Sequence, residues 1–247
     1  MISLFIFLLG LASGSFLNVV ILRLQKDESA LLRRSYCPQC KHQLSWQDLI
    51  PVLSFVLLEG KCRYCKKAIS WQYPTIEILT ASIFLAIFFA QGLNFYLWSI
   101  ASLLIVIFVY DLRYYLIPDI IVYLGTGAAF LYRMFGHGGS LENAFISAIL
   151  ASLFFLAIYL ASKGTWMGFG DVKLAFFMGL FLGFPNILVA LYSAFFAGAV
   201  VGMVLILAKK KKMNSQVPFG PFLVGGTFFA LLFGEVIAHW YLRFLLV

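Results

Sequence analysis

Long apolar runs recur along this chain at a length that a lipid bilayer explains. Eight stretches, at roughly 2–22, 75–91, 94–112, 119–134, 143–162, 171–184, 186–208 and 219–242, are nearly free of charge. Crossing a hydrocarbon core takes about 20 apolar residues of helix, each adding about 1.5 Å. Lipid offers no partner for backbone N–H and C=O groups, so runs of this kind must bond internally as helices. A soluble domain is about 45–50% apolar, whereas this chain of 247 residues is 63% hydrophobic and 11% charged. The fold class that follows is an all-α polytopic membrane protein with about eight transmembrane helices. The run at 171–184 is the shortest of the eight.

Charge then sets the expected topology. Met1 to Leu9 carries no Lys or Arg, so the basic n-region of a cleavable signal sequence is missing. A retained first helix with its amino terminus outside is expected. The inside segments are then 23–74, 113–118, 163–170 and 209–217. With their edges they hold sixteen of the 18 basic residues, Arg33 and the run Lys209 to Lys212 among them. Arg133 and Arg243 alone fall outside. Basic residues concentrate on the cytoplasmic side of membrane proteins, and the opposite orientation would reverse that bias. Both termini are expected outside. The net charge of +8 reads as topology and contact with anionic lipids, with no case for nucleic acid because the basic residues scatter among short loops.

Three regions follow: a first transmembrane helix at 1–22, a cytoplasmic module at 23–74, and a membrane-embedded remainder at 75–247. The module holds all four cysteines, as Cys37-Pro38-Gln39-Cys40 and Cys62-Arg63-Tyr64-Cys65. Paired C-x2-C turns are a zinc signature, because each presents two thiolates from one side of a tight turn. A reducing cytoplasm disfavours disulfides, and four thiolates leave no open coordination position, so the expected Zn2+ is structural. Leu49 to Leu58 is apolar but too short to span and contains Pro51. It is expected to lie at the interface, with Trp46, Trp71 and Tyr73 at headgroup level. His42, His137 and His239 are isolated and read as surface or interfacial residues.

Two acidic residues stand out at ends of apolar runs. Asp111 lies in Tyr110-Asp111-Leu112-Arg113, and Asp171 closes Gly168-Phe169-Gly170-Asp171. An ionisable side chain at membrane depth costs about 2.5–3.5 kcal/mol or more, which makes it a candidate for function. Two carboxylates sharing a proton can activate water and polarise a carbonyl, the chemistry of an aspartyl protease. Asp119 follows Pro118 and reads as a helix cap. Gly168 and Gly170 weaken the helix start and leave bare backbone beside Asp171. Asp111 sits at a helix C-terminus, where the dipole opposes ionisation. Asp171 is therefore expected to carry the charge and Asp111 the shared proton. The same pair would also suit a proton-coupled transporter, and a membrane assembly factor that binds without cutting is a third reading.

The motifs together resemble the bacterial type IV prepilin peptidases, within the GxGD aspartyl protease group. The resemblance rests on Gly14-Ser15-Phe16-Leu17-Asn18 with Arg23, the paired cysteines, Tyr73-Pro74-Thr75-Ile76-Glu77, Asp111 with Leu116-Ile117-Pro118-Asp119, Gly168 to Lys173, and Pro218-Phe219-Gly220-Pro221. It implies that Asp111 and Asp171 are catalytic and that Cys37, Cys40, Cys62 and Cys65 bind zinc. The implied substrate is a prepilin or pseudopilin, cut after the glycine of a short basic leader at the cytoplasmic face of the bacterial inner membrane. Family members also methylate the new amino terminus with S-adenosylmethionine, and the resemblance ties Gly60 and Glu77 to that step. Gly10 to Gly14 reads as a small-residue helix-packing motif.

Overall fold

The computed structural model describes residues 1–26, 34–208 and 217–245. Arg33 and the Lys209–Lys212 run lie outside the described residues, as does the side chain of His239. The helices are α1 (Ile2–Leu24), α2 (Leu53–Leu57), α3 (Gln72–Gln91), α4 (Phe95–Tyr114), α5 (Asp119–Met134), α6 (Leu141–Ala161), α7 (Phe169–Leu182), α8 (Asn186–Leu207) and α9 (Gly220–Leu245). A short 3-10 turn, Trp46–Leu49, precedes α2.

Among the described residues eight long helices occupy the eight apolar runs, and six of them are long and apolar enough to cross a bilayer: α1, α3, α4, α6, α8 and the Gly220–Ala238 part of α9. The other two are shorter, α5 with 16 residues and α7 with 14, or about 24 and 21 Å of helix against a core of about 30 Å. Local sequence sets these lengths. Pro118 and the extended Gly168 stand at the starts of the two helices, and Gly183 ends α7 at φ +69°. Ten residues of α7 are buried, so neighbouring helices surround it and it need not match the lipid thickness itself.

The chain forms two compact units, Met1–Val106 and Ile107–Val247, with the division inside α4. In the first unit α1 lies against α3. A Cβ on Gly10 would fall 2.5 Å from the Ala81 Cα, and one on Gly14 would fall 2.7 Å from the Glu77 Cα. The backbones touch there, as the small-residue spacing predicts. Near the end of α1, Asn18 Nδ2 donates to the Tyr73 carbonyl at 3.2 Å, and its Oδ1 accepts from Gln72 Nε2 at 3.3 Å. Buried amides need such partners in apolar surroundings. The expected interfacial piece, Leu49 to Leu58, contains α2, and its Leu53, Val56 and Leu57, like Trp46 just before it, are exposed, which suits contact with a bilayer surface.

In the second unit α7 is the central helix. Gly179 lets it meet the backbone of Ala148 on α6, and the Phe177 ring fills the space left by Gly125 on α5. Its C-terminal end and the residues just after it are held by side chains from two other helices. Arg133 Nη2 donates to the Phe181 carbonyl at 2.7 Å, and Asn143 exchanges hydrogen bonds with the Phe184 backbone at 2.7 and 3.2 Å. Helix α8 packs along α9, where Gly226 sits against the Ala190 carbonyl.

Candidate active site

The last turn of α4 and the first turn of α7 bring two carboxylates together. Asp111 and Asp171 are both buried, 5% and 7% exposed, and near enough that Asp171 feels the charge of Asp111. Gly168 is the N-cap of α7, which makes Asp171 its third residue. There the carboxylate accepts from the Gly168 backbone N–H, half of a capping box. Capping and proximity to Asp111 therefore coexist in one side chain. Asp111 accepts from the backbone N–H of Gly220, the first residue of α9.

That second bond changes the argument made from helix ends. The first N–H groups of any helix lack intrahelical partners and favour an anion. Asp111 ends α4, but it also faces the start of α9, as Asp171 faces the start of α7. The dipole asymmetry expected from sequence is thus offset by a third helix. Nothing in the residue types announces this role for Gly220, because the contact is made by backbone and by an absent Cβ. The nearest signal is Pro218-Phe219-Gly220-Pro221, which fixes where α9 can begin.

The segments carrying the aspartates are also joined outside the carboxylates. A Cβ on Gly170 would meet the Ile117 Cβ at 3.0 Å, so glycine there admits the chain leading into α5. Gly168 has no such crowding, the nearest atoms being 3.8 Å away or more, and it leaves open space beside Asp171. Asp119 does not cap α5: Pro118 occupies the N-cap position and Asp119 is the first helical residue, with no capping bond. Its carboxylate instead meets Lys173 Nζ at 2.8 and 2.7 Å.

In the first unit the four cysteines converge. Their sulfurs all lie within 4.8 Å of one another, Cys37 and Cys65 at 4.0 Å. Four sulfurs about 2.3 Å from one tetrahedral ion stand about 3.8 Å apart, so the cluster could hold a metal ion. The two turns repeat one geometry. Cys37 N–H bonds the His42 carbonyl and Lys41 N–H the Cys37 carbonyl, both at 2.9 Å; Cys62 with Lys67 and Lys66 with Cys62 do the same at the same distances. Lys41 and Lys66 take the matching left-handed conformation, φ +62° and +58°. Asp48 braces the second turn, accepting from Arg63 Nε at 2.7 Å and from Ser45 and Tyr64. Burial opposes its ionisation, but those hydrogen bonds outweigh burial and hold its carboxyl below the usual range. His42 lies on the Tyr64 ring at 3.7 Å, so one turn touches the other.

Comparison with known proteins gives the site its context. Residues 8–91 match the bacterial peptidase A24 N-terminal domain, and residues 98–203 match the type IV leader peptidase family. A prepilin leader peptidase/N-methyltransferase of Aeromonas salmonicida is 33% identical across 98% of this chain and 94% of its own length. The chain belongs to the type IV leader peptidase family. Relatives with the same name in Bacillus subtilis, 31% identical over 96% of this chain and 97% of theirs, and in Pseudomonas aeruginosa, 29% identical over 96% and 92%, extend the match. No solved structure matches the chain. Both aspartates of this leader peptidase fall inside the 98–203 match, and the four cysteines, Gly60 and Glu77 inside 8–91.

Gly60 and Glu77 converge on the α2 turn of the peptidase. Glu77 Oε2 accepts from the Val52 N–H at 2.7 Å, and the carboxylate also accepts from Ser15. Val52 has φ +59°, a strained conformation for a β-branched residue, so this bond holds the turn in place. Gly60 has φ +68° and faces the Phe55 ring, where a Cβ would fall at 3.1 Å. Helix α3 starts at Gln72, so Glu77 lies beyond its first turn. Both Gly60 and Glu77 help to hold the α2 turn.

Proposed function

We propose that Asp111 and Asp171 are the catalytic pair of this leader peptidase. The protein is a membrane peptidase of the type IV leader family, cleaving prepilin leaders and N-methylating the new amino terminus. The observation that supports the pair is the meeting of two buried carboxylates from positions sixty residues apart, each bonded by a backbone N–H at a helix start. A water held between them gives a proton to the ionised carboxylate as its oxygen attacks the scissile carbonyl. The protonated partner donates to the carbonyl oxygen, forming a gem-diol. Collapse of the gem-diol with proton transfer to the amine breaks the peptide bond. The shared proton belongs to the pair, and either labelling gives the same chemistry.

The aspartates are assigned to the cytoplasmic face, since Arg113 follows Asp111 within two residues and basic residues collect there. The helices from 75 onward then form the peptidase portion, anchored in a bacterial inner membrane with anionic lipids, and both termini lie outside. The short basic leader of a prepilin or pseudopilin would reach the pair from the cytoplasm. Zinc suits the four thiolates of Cys37, Cys40, Cys62 and Cys65, where it would cross-link the module and perform no chemistry. S-adenosylmethionine is the methyl donor assigned to the second activity. Gly60 and Glu77 serve that half by shaping the α2 turn.

Co-expression with a prepilin tests the assignment. Asp111→Asn and Asp171→Asn should each lower cleavage by about 10²–10⁴-fold or more at unchanged protein level. Mass spectrometry of the processed amino terminus reads the cut position and the methyl group together. Cleavage retained in either variant removes that residue from the pair.

A further inference from the structure

We infer that Asp119 and Lys173, with Ile117 seated on Gly170, form a clasp that sets the separation of Asp111 and Asp171. This rests on the catalytic pair proposed above and assigns its positioning residues. The connection after Asp111 is short and stiff. Tyr115 N–H bonds the Asp111 carbonyl at 2.9 Å, Tyr115 takes the left-handed conformation at φ +56°, and Pro118 fixes the entry to α5. Asp119 therefore stands at a set place relative to Asp111, eight positions along the chain. Lys173 lies two positions after Asp171 on the same helix. Joining Asp119 to Lys173 closes a ring: from Asp111 through the connection to Asp119, across to Lys173, back along α7 to Asp171, and across to Asp111.

The ion pair is better held than an ordinary surface pair, which contributes little. Lys173 Nζ reaches both carboxylate oxygens of Asp119, at 2.8 and 2.7 Å. The ammonium also lies 5.8 Å from the Tyr123 ring centre and 5.3 Å from that of Phe169, within cation–π range. These rings belong to α5 and α7, the helices being joined. Second, and independent of charge, a Cβ at Gly170 would lie 3.0 Å from the Ile117 Cβ, so a side chain there would push the two segments apart by a few tenths of an ångström. Neither Asp119 nor Lys173 touches the carboxylate pair among the described contacts, so their effect passes through backbone position.

Kinetics on the full-length protein, with a prepilin as substrate, tests the clasp. Lys173→Met and Asp119→Asn should each lower kcat by about tenfold or more, as a displacement of up to 1 Å at a catalytic group can, with KM unchanged. The double variant should be no worse than the more damaged single one, because the two residues act as a unit. Lys173→Arg should keep most of kcat. Wild-type kcat in either single variant overturns the clasp, as does a rise in KM alone, which would place Lys173 in substrate contact. Additive losses in the double variant also overturn it. Should Lys173→Met fail to accumulate, Asp119→Glu keeps both charges and adds one methylene; it must lower kcat, and full activity refutes the inference. Asp111→Asn and Asp171→Asn run in the same assay separate the two proposals. Active clasp variants beside inactive aspartate variants sink the clasp alone, whereas an active aspartate variant sinks the pair.

Discussion

Replacing Gly220 with alanine should damage catalysis without damaging the fold. An alanine Cβ there would lie 2.5 Å from Asp111 Oδ2, 3.1 Å from its Cγ and 3.4 Å from its Cβ. Carbon and oxygen rest at about 3.5 Å or more, so the carboxylate must withdraw by about 1 Å. Gly220 is not among the residues with positive φ, so alanine brings no backbone strain, and the far end of a side chain can move where a backbone could not. Withdrawal weakens the Gly220 N–H bond to Asp111, and hydrogen bonds to charged groups are worth about 1.5–3 kcal/mol. That energy corresponds to a loss in rate of about 10- to 150-fold. The expected result is a loss of this size in kcat and kcat/KM together, since the interaction matters to reaction and not to binding. Gly225→Ala on the same helix is the control, as nothing lies within 4 Å of its Cβ position. Steady-state cleavage of a prepilin, with thermal stability measured alongside, decides the matter. Wild-type kcat for Gly220→Ala, or equal damage from Gly225→Ala, refutes the reasoning.

Two further outcomes concern the scaffold. Cys37→Ser or Cys62→Ser should lower metal content and protein yield together, because metal binding supplies folding energy to small modules; metal analysis of purified protein checks this, and normal yield without metal contradicts it. Gly179→Ala places a Cβ within 2.5–2.7 Å of backbone atoms of Ala148 and Ser147, and such overpacking costs about 1–3 kcal/mol. Gly127→Ala, with nothing within 4 Å, should be neutral or stabilising by up to about 1 kcal/mol; thermal midpoints in detergent should separate the two.

Much of this architecture was legible because its causes are local. Apolar runs announce helices, and the C-x2-C turns carry their left-handed lysines within one short repeat, so the cysteine cluster could be read from spacing. The meeting of Asp111 with Asp171 was inferred from the kind of chemistry that two framed carboxylates permit. What stayed hidden depends on distant partners. Pro118-Asp119 has the grammar of a helix cap, but proline takes the cap position and Asp119 turns to a lysine fifty-four positions away. Glu77 accepts from the Val52 N–H, twenty-five positions away, a contact that no spacing announces. The lengths of α5 and α7 match their apolar runs, but both were counted among the spans because apolar composition does not distinguish a lipid neighbour from a helical one.

The short central helix is a strut braced at both ends. Arg133 and Asn143 grip the carbonyls where it finishes, and the Ile117–Gly170 contact with the Asp119–Lys173 pair secures where it begins. Slippage by a single residue would carry Asp171 about 1.5 Å along the axis and swing it away from Asp111. The peptidase is therefore vulnerable at its distal rim. A lesion at Arg133, a full helix length from the carboxylates, removes the hydrogen bond that holds the far end of the strut.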